Sequence, residues 1–180
     1  MFNNKMKSLN QPPMKQGSPD DFQTPKEALN ILIPFLNKDW TIWECACGKM
    51  NLVNGFKEKG FKVIGTDIKD QPSDDGDFLK WNLPLSYDCI VTNPPYSLKE
   101  RFIERCYQLG KPFALLMPLT ALESEKRQRF WRKGVQLIIP NKRYNFETPS
   151  GKGSGSWFAT AWFTWGLNLP KDLNFINVKI

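Results

Sequence analysis

The residues of this sequence that are best suited to chemistry form the tetrapeptide Asn93-Pro94-Pro95-Tyr96. The Asn93 side-chain oxygen and the Pro94 carbonyl are two acceptors that need no charged partner, and they suit an NH₂ group with two hydrogens. Tyr96 adds a flat face on which a planar base can stack. Asn and Pro are also common turn residues, so the tetrapeptide by itself is equally compatible with an ordinary turn.

The flanking residues place this tetrapeptide between a strand and a helix. Residues 87–91 are apolar and rich in strand formers. The two prolines fix φ and remove two backbone donors, so the strand must end there. Ser97 and Glu100 have the spacing of a capping box, which predicts a helix that starts at once. In an open α/β sheet, ligands bind beyond the carboxyl ends of the strands, where this corner lies.

The length and composition are typical of one soluble domain. The chain has 180 residues, of which 41% are hydrophobic and 24% are charged, as in ordinary globular proteins. It carries 25 Lys and Arg residues against 18 Asp and Glu residues, and this charge of +7 favours a polyanionic partner. The sequence shows neither an apolar run of membrane-spanning length nor the apolar core of a signal peptide, which predicts a cytoplasmic protein with no membrane partner.

The residue types that are missing exclude several kinds of catalysis. The sequence contains no histidine, so Ser-His-Asp and Cys-His catalysis and His-containing zinc sites are excluded. The four cysteines are Cys45, Cys47, Cys89 and Cys106. Their spacing is not that of a zinc site, and in a cytosolic chain they are expected to be reduced and mostly buried. We therefore predict no metal site.

The first third of the chain predicts a tail, a helix and two strands. Residues 1–19 are polar and without period, which predicts a flexible tail ahead of a single domain at residues 20–180. Thr24 begins a second capping box, with a helix to follow. Residues 40–43 suit a buried parallel strand. A second strand, at residues 60–68, carries a carboxylate near its end, which could accept both hydroxyls of a ribose.

The second half of the chain predicts two more buried strands, a basic helix and a hairpin. The strands are residues 113–118 and 134–140, and Thr120 opens a third capping box before a basic helix at residues 124–133. Residues 157–165 alternate large and small side chains, which predicts a long strand antiparallel to 134–140 with its aromatic rings in the core. Together, strands that alternate with capped helices and end on a hairpin indicate a three-layer α/β sheet.

Five basic residues are candidates for contact with nucleic-acid phosphates. Arg127 and Arg132 belong to the basic helix, and Lys142, Arg143 and Lys152 belong to the long segment that precedes the last strand. Each has a simpler explanation, since charged helix faces are commonly just solvated and long loops often only connect strands. The segment could otherwise close over nucleic acid or cofactor.

The order of these features resembles that of the compact DNA adenine methyltransferases encoded by many bacteriophages, over roughly residues 20–166. The resemblance rests on a glycine loop after the first strand, Asp67, Asp77-Phe78, and the corner at residues 93–96. It implies a Rossmann-like class I methyltransferase sheet that is mostly parallel, with an antiparallel C-terminal strand. It also implies S-adenosylmethionine as the cofactor and the exocyclic amine of adenine in DNA as the acceptor.

The resemblance also implies roles for individual residues. Asn93, Pro94, Pro95 and Tyr96 match the catalytic motif, in which two acceptors hold the amine of a flipped adenine while the tyrosine stacks on the base. The residues implied for the cofactor are Phe22, Thr24, Glu44, Cys45, Ala46, Gly48, Asp67, Ile68, Asp77, Phe78 and Asn93. The family has a second glycine two places after the first, and this sequence has Met50 there.

Two alternative functions stay open at this level. The same corner occurs in enzymes that methylate RNA bases or a protein glutamine, because an amide NH₂ offers the same two hydrogens. Alternatively, the chain is a nucleic-acid-binding module that keeps the fold but has lost transfer, which Met50 suggests because a bulky side chain there could crowd the cofactor. The sequence does not decide between a monomer and a dimer.

Overall fold

A sheet of seven strands runs through the part of the chain that the computed structural model describes, residues 23–69, 76–80, 86–148, 151–152 and 158–178. The described strands are β1 (Thr41–Glu44), β2 (Lys62–Gly65), β3 (Cys89–Thr92), β4 (Phe113–Pro118), β5 (Gln136–Pro140), β6 (Glu147–Thr148), β7 (Gly151–Lys152), β8 (Thr160–Trp165) and β9 (Leu173–Ile176). Of these, β6 and β7 pair with each other as a separate two-stranded sheet. The predicted tail at residues 1–19 and Phe22 lie outside the described residues.

The strands of the large sheet lie in the order β2-β1-β3-β4-β8-β5-β9. From β2 to β4 neighbouring strands are parallel, β8 is antiparallel to both β4 and β5, and β9 is parallel to β5. This confirms the predicted sheet, mostly parallel with an antiparallel C-terminal strand, and adds β9, which the sequence did not predict.

The carboxyl ends of the parallel strands β1, β3, β4 and β5 lie on the same side of the sheet. Because β4 and β5 both pair antiparallel with β8, they point in the same direction, and β1 and β3 point the same way as β4. We call this side the carboxyl edge. The residues that end β1, β3, β4 and β5 there are Glu44, Thr92, Pro118 and Pro140.

Helices cover both faces of the sheet, which makes the three predicted layers. The α-helices within the described residues are α1 (Glu27–Asn30), α2 (Asn51–Glu58), α3 (Lys99–Leu109) and α4 (Glu125–Trp131). Leu29 of α1 and Phe56 of α2 are buried in one apolar core together with Ile42 and Trp162 of the sheet. Among the described residues, no helix has both the length and the apolar character that a membrane span needs.

A second core lies on the other face. Phe102 of α3 and Phe130 of α4 belong to it, together with Trp43 and Phe163. Neighbouring residues of one strand therefore serve different cores: Ile42 and Trp43 point to opposite faces, as the pleat of a strand requires. The Trp162 indole N–H also donates to the Ala28 carbonyl at 2.8 Å, which ties β8 to α1.

The three predicted N-cap residues, Thr24, Ser97 and Thr120, do not stand at the N-cap positions, although helices follow all three. The N-cap residues are Lys26 for α1, Leu98 for α3 and Ser124 for α4, and none makes a side-chain capping bond. At the second and third sites a 3₁₀ turn lies between strand and helix, at Tyr96–Leu98 and Leu119–Leu122. Prolines precede both turns and hold the chain extended, so the predicted cap residues fall inside the turns instead of at the helix start.

Candidate active site

The Asn-Pro-Pro-Tyr corner lies at the carboxyl edge, directly after β3. The chain stays extended through Pro95, which has φ −58° and ψ 122°. The Leu98 N–H then donates to the Pro95 carbonyl at 2.9 Å, which closes the 3₁₀ turn before α3. This arrangement holds Asn93 at the carboxyl edge beside the end of β1, because β3 is the neighbour of β1 in the sheet.

A cavity of about 320 Å³ opens at the same edge, within the size range of small-ligand sites. The structure brings together around it ten of the residues that the sequence predicts for cofactor binding. They are Thr24, Glu44, Cys45, Ala46, Gly48, Asp67, Ile68, Asp77, Phe78 and Asn93. Their binding role stays a prediction, as does that of Phe22, which lies outside the described residues.

Sequence reasoning missed nine residues that also line this cavity. They are Gln23, Cys47, Asn51, Leu52, Lys69, Gly76, Leu79, Leu98 and Phe102. The side chain of Gln23 has a structural task as well, because its Oε1 accepts the Lys49 N–H at 3.1 Å. Gln23 stands next to Thr24, which the sequence did assign, but the pattern around it does not distinguish a lining residue from a spacer.

The loop after β1 is shaped by Gly48 and Asp67. Gly48 has φ +47°, and a Cβ on it would stand 3.1 Å from Gln23 Nε2, so both the backbone and the space favour glycine. The Asp67 carboxylate accepts the Gly48 N–H at 2.8 Å and the Lys69 N–H at 3.0 Å. Asp67 therefore joins the loop to the end of β2 while it also lines the cavity.

Met50 takes the left-handed conformation that glycine would favour, with φ 65° and ψ 16°. Its Sδ and Cε atoms point towards β2, where a Cβ on Gly65 would stand 3.4 Å from both. Met50 is not among the residues that line the cavity. The side chain therefore packs behind the loop, which removes the reason for expecting it to crowd a cofactor.

Glu44 is a buried acid at the end of β1, with 1% of its surface exposed. The Ala46 N–H donates to its Oε1 at 3.1 Å. Burial raises the pKa of Glu44 to about 8; the nearby Thr92 hydroxyl and the hydrogen bond from Ala46 oppose this rise, and the charge of Asp67 adds to it. At neutral pH this carboxyl is therefore mostly protonated.

The cysteines behave as small apolar residues. All four are free and buried, as the sequence predicted. Burial raises the pKa of the Cys45 thiol well above its ordinary value, so it is not a thiolate nucleophile at neutral pH. Among the described residues, no group of three His, Cys, Asp or Glu side chains could hold a metal ion.

Aromatic rings line the cavity and surround the corner. Phe78 packs against Trp43 at 5.3 Å and against Phe102 at 4.9 Å between ring centroids, and 2% of its surface is exposed. Tyr96 is 6% exposed and meets Phe158 edge to face at 5.6 Å. A base can therefore reach the face of Tyr96 only if neighbouring side chains move aside.

The basic residues predicted to contact nucleic acid are not brought together. Lys142 and Arg143 are exposed and follow β5 at the carboxyl edge. Arg132 is exposed between the end of α4 and the start of β5, which puts it at the opposite edge of the sheet. Lys152 belongs to β7, where its backbone pairs with Glu147.

Arg127 is occupied by protein partners and is 9% exposed. Its Nε donates to the Ala121 carbonyl at 2.7 Å, and its Nη2 donates to the Glu123 carbonyl at 3.0 Å. Its Nη1 forms a salt bridge with Glu100 at 2.7 Å. This guanidinium therefore ties α4 to α3 and to the turn before α4.

Solved structures with this fold exist, although no protein-family model and no curated protein matches the sequence. A Listeria monocytogenes protein, described as a class I S-adenosylmethionine-dependent methyltransferase, is 17% identical with a TM-score of 0.58, over 92% of this chain and 68% of its own. A modification subunit described for a type I restriction enzyme of Vibrio vulnificus is 14% identical with a TM-score of 0.53, over 88% of this chain and 47% of its own.

A third similar structure is a dimethyladenosine transferase of Plasmodium falciparum. It is 16% identical with a TM-score of 0.50, over 79% of this chain and 61% of its own. This chain thus spans less than two thirds of the Plasmodium and Vibrio proteins. At these identities the similarity shows the fold, and the fold is that of the Rossmann-like class I S-adenosylmethionine-dependent methyltransferases.

Proposed function

We propose that this protein transfers a methyl group from S-adenosylmethionine to the exocyclic amine of adenine in DNA. The observation that carries the proposal is that Asn93 lines the same cavity as Gly48 and Asp67. One of the two acceptors that suit an NH₂ group, the Asn93 side-chain oxygen, therefore belongs to a residue that lies beside those that suit a nucleoside cofactor. A turn without function would not require this coincidence.

The residues around the cavity fit this cofactor. The Asp67 carboxylate, already fixed by two backbone N–H groups, has further lone pairs for the hydroxyls of a ribose. Ile68 is 57% exposed and Leu98 is 36% exposed although both line the cavity, so apolar surface is available for the faces of an adenine ring. Asp77 can accept from the adenine amine. Phe22 and Thr24 are proposed for the methionine end.

The cofactor supplies, when bound, a methyl group on a positively charged sulfur. The residues of the corner hold the acceptor. The Asn93 side-chain oxygen and the Pro94 carbonyl would each accept one N–H of the amine, and Pro95 keeps both acceptors rigid. As the amine nitrogen gains positive charge, these oxygens stabilise it more than they stabilise the ground state, and this difference lowers the barrier.

Three basic residues are proposed to contact the DNA backbone. Lys142 and Arg143 are exposed at the carboxyl edge, on the side of the sheet where Asn93 lies. Lys152, in the same segment of the chain, is the third residue proposed to contact the backbone. Arg132 at the opposite edge and Arg127, which is bound by protein groups, are left out.

The proposal is tested by methyl incorporation into DNA, RNA and protein from labelled S-adenosylmethionine, with an Asn93→Ala variant beside the wild type. We expect incorporation into DNA, and we expect the variant to bind the cofactor while transfer falls by at least about a hundredfold, as for loss of one transition-state contact. Turnover that survives in Asn93→Ala would rule out these roles. Incorporation into RNA alone, or into protein alone, would show that this molecule and not DNA is the methyl acceptor.

A further inference from the structure

A second cavity, of about 640 Å³, lies beside the candidate active site. It shares Gln23, Thr24 and Asn51 with the first cavity, so these three residues stand between the two spaces. Another wall is the segment 142–146, which leaves β5 at the carboxyl edge. A ligand in the second cavity would therefore lie next to a cofactor in the first.

The wall of the second cavity is polar and carries more positive than negative charge. Lys142 and Arg143 are exposed along it, and Glu27 is the acidic residue among those that line it. Lys26 also lines the cavity and is paired with Glu58 at 2.6 Å. Such a mixture of cations with Asn and Thr side chains is typical of surfaces that bind sugar and phosphate groups.

A buried hydroxyl on this wall lacks a partner. Tyr144 is 3% exposed, and its hydroxyl makes no hydrogen bond among the described residues. Burial raises the pKa of Tyr144, and the charge of Glu27 raises it further, so the hydroxyl keeps its proton and can donate it. Neighbouring atoms cover this hydroxyl oxygen, so a phosphate or sugar oxygen that displaced them would supply the missing partner, which an apolar ligand would not.

A chain of aromatic rings connects this cavity with the catalytic corner. Phe146, on the cavity wall, lies 6.3 Å from Phe158 between ring centroids, and Phe158 lies 5.6 Å from Tyr96. Two ring contacts thus separate the wall from the tyrosine proposed to stack on the base. A strand whose base reaches Tyr96 has its backbone close to the cavity.

We propose that the second cavity receives the sugar–phosphate backbone of the substrate strand beside the methylated base. The proposal rests on the proposed function, since it requires a nucleic-acid substrate. Lys142 and Arg143 contact the phosphate, and the residues shared with the first cavity keep the backbone in register with the cofactor. The cavity thereby fixes where along the strand the target base is presented.

The test compares charge changes inside the cavity with matched changes outside it. Lys142→Ala/Arg143→Ala removes one Lys and one Arg from the cavity, and Lys111→Ala/Arg132→Ala removes the same pair from exposed positions at the opposite edge. Asn145→Glu adds a carboxylate to the cavity, and Gln108→Glu adds one to an exposed position of α3. Binding of a fluorescein-labelled, adenine-containing single strand and of its duplex is followed by anisotropy against salt concentration.

The expected result separates the two members of each pair. Lys142→Ala/Arg143→Ala and Asn145→Glu should weaken oligonucleotide binding by about tenfold, and the double variant should lower the salt slope by one to two, roughly one per lost phosphate contact. The matched variants should change affinity by less than about twofold, and all four should bind S-adenosylmethionine like the wild type, which also shows that they fold.

Two results would overturn the proposal, and they are distinguishable. If the wild type methylates DNA but the cavity variants lose no more affinity than their matched controls, the cavity is not a binding site while the proposed function stands. If the wild type binds S-adenosylmethionine but neither oligonucleotide, the nucleic-acid substrate itself is wrong, and the cavity proposal fails with it.

Discussion

Glu44 and Asp67 line one cavity, but the protein treats their carboxyl groups differently. Asp67 accepts two backbone N–H groups, from Gly48 and Lys69. Glu44 accepts from Ala46 and is almost completely buried at the end of β1. Desolvation therefore dominates for Glu44 and raises its pKa to about 8. The proton that it holds makes the stability of the fold depend on pH.

We expect Glu44→Gln to flatten part of this pH dependence. The pKa of Glu44 is raised in the folded state from an ordinary 4.5 to about 8, so between these values the unfolded chain has lost a proton that the folded chain keeps. The free energy of unfolding then falls as pH rises, by up to about 1.4 kcal/mol per pH unit from this one group. Glutamine carries no such proton, so the variant should gain stability relative to wild type from pH 5 to pH 8.

Urea unfolding of wild type and Glu44→Gln at several pH values measures this difference. The contributions of the other titrating groups cancel because both proteins contain them. Glu123→Gln, which changes an exposed carboxyl, serves as the control and should run parallel to wild type. A Glu44→Gln curve that also runs parallel would show that Glu44 ionises normally in the folded protein.

The residue types of the site were predictable, and their physical state was not. The sequence predicts that Asp67 and Gly48 belong to one site because short-range patterns reveal strand ends and tight turns, and both residues line the first cavity. The charge of Glu44 depends on Thr92, which approaches it from β3, and on the depth of burial. The direction of Met50 depends on Gly65 of β2. Contacts between strands that are distant in the sequence decide both.

At the scale of elements, the join between α3 and α4 depends on Arg127. The side chain is largely buried, bonds to two backbone carbonyls of the turn before α4, and reaches Glu100 near the start of α3. Glu100 is 44% exposed, so the ion pair itself contributes little in water. The carbonyls matter more, because they would lose a donor inside the protein.

Arg127→Met should therefore destabilise the fold by about 2 kcal/mol, mostly through the lost bonds to carbonyls. Glu100→Gln should cost less than about 1 kcal/mol, since it disturbs only the exposed pair. Urea unfolding measures both. The affinity of folded Arg127→Met for oligonucleotides should stay within about twofold of wild type, because the variant loses only one of the protein's positive charges. An Arg127→Met variant that keeps its stability but loses oligonucleotide binding would show that Arg127 contacts nucleic acid.

The sequence predicted which elements exist better than where they begin. The strand at Phe113–Pro118 appears as expected, because a continuous apolar run bounded by prolines is unambiguous. At α3 and α4 the predicted N-cap residues lie ahead of the helix start, because the prolines before Tyr96 and Leu119 impose a 3₁₀ turn that a four-residue pattern does not contain. Strand β9 was not predicted because it is the outermost strand beside β5, where Leu173 and Phe175 are exposed, so the sequence shows no clear pattern of buried residues.

At the scale of the whole molecule, the first cavity is built from segments spread over much of the described chain. Thr24 precedes α1, Gly48 follows β1, Asp67 follows β2, and Asn93 follows β3. In an unfolded chain these groups are far apart, so a ligand that contacts them binds only the folded state. Cofactor binding and folding are then linked by mass action.

S-adenosylmethionine at about a hundred times its dissociation constant should raise the stability of the protein by about 2.7 kcal/mol. For a domain of this size, that corresponds to a melting temperature higher by roughly 5–10 °C. Asp67→Ala removes the group proposed for the ribose and frees the Gly48 N–H, so this variant should melt lower and show no shift with the cofactor. Thermal unfolding with and without S-adenosylmethionine measures both effects, and Lys111→Ala, at the opposite edge, should shift like wild type. If the melting temperature of Asp67→Ala rises with S-adenosylmethionine as much as that of wild type, the cofactor binds elsewhere. If the melting temperature of wild type does not rise, the protein does not bind S-adenosylmethionine.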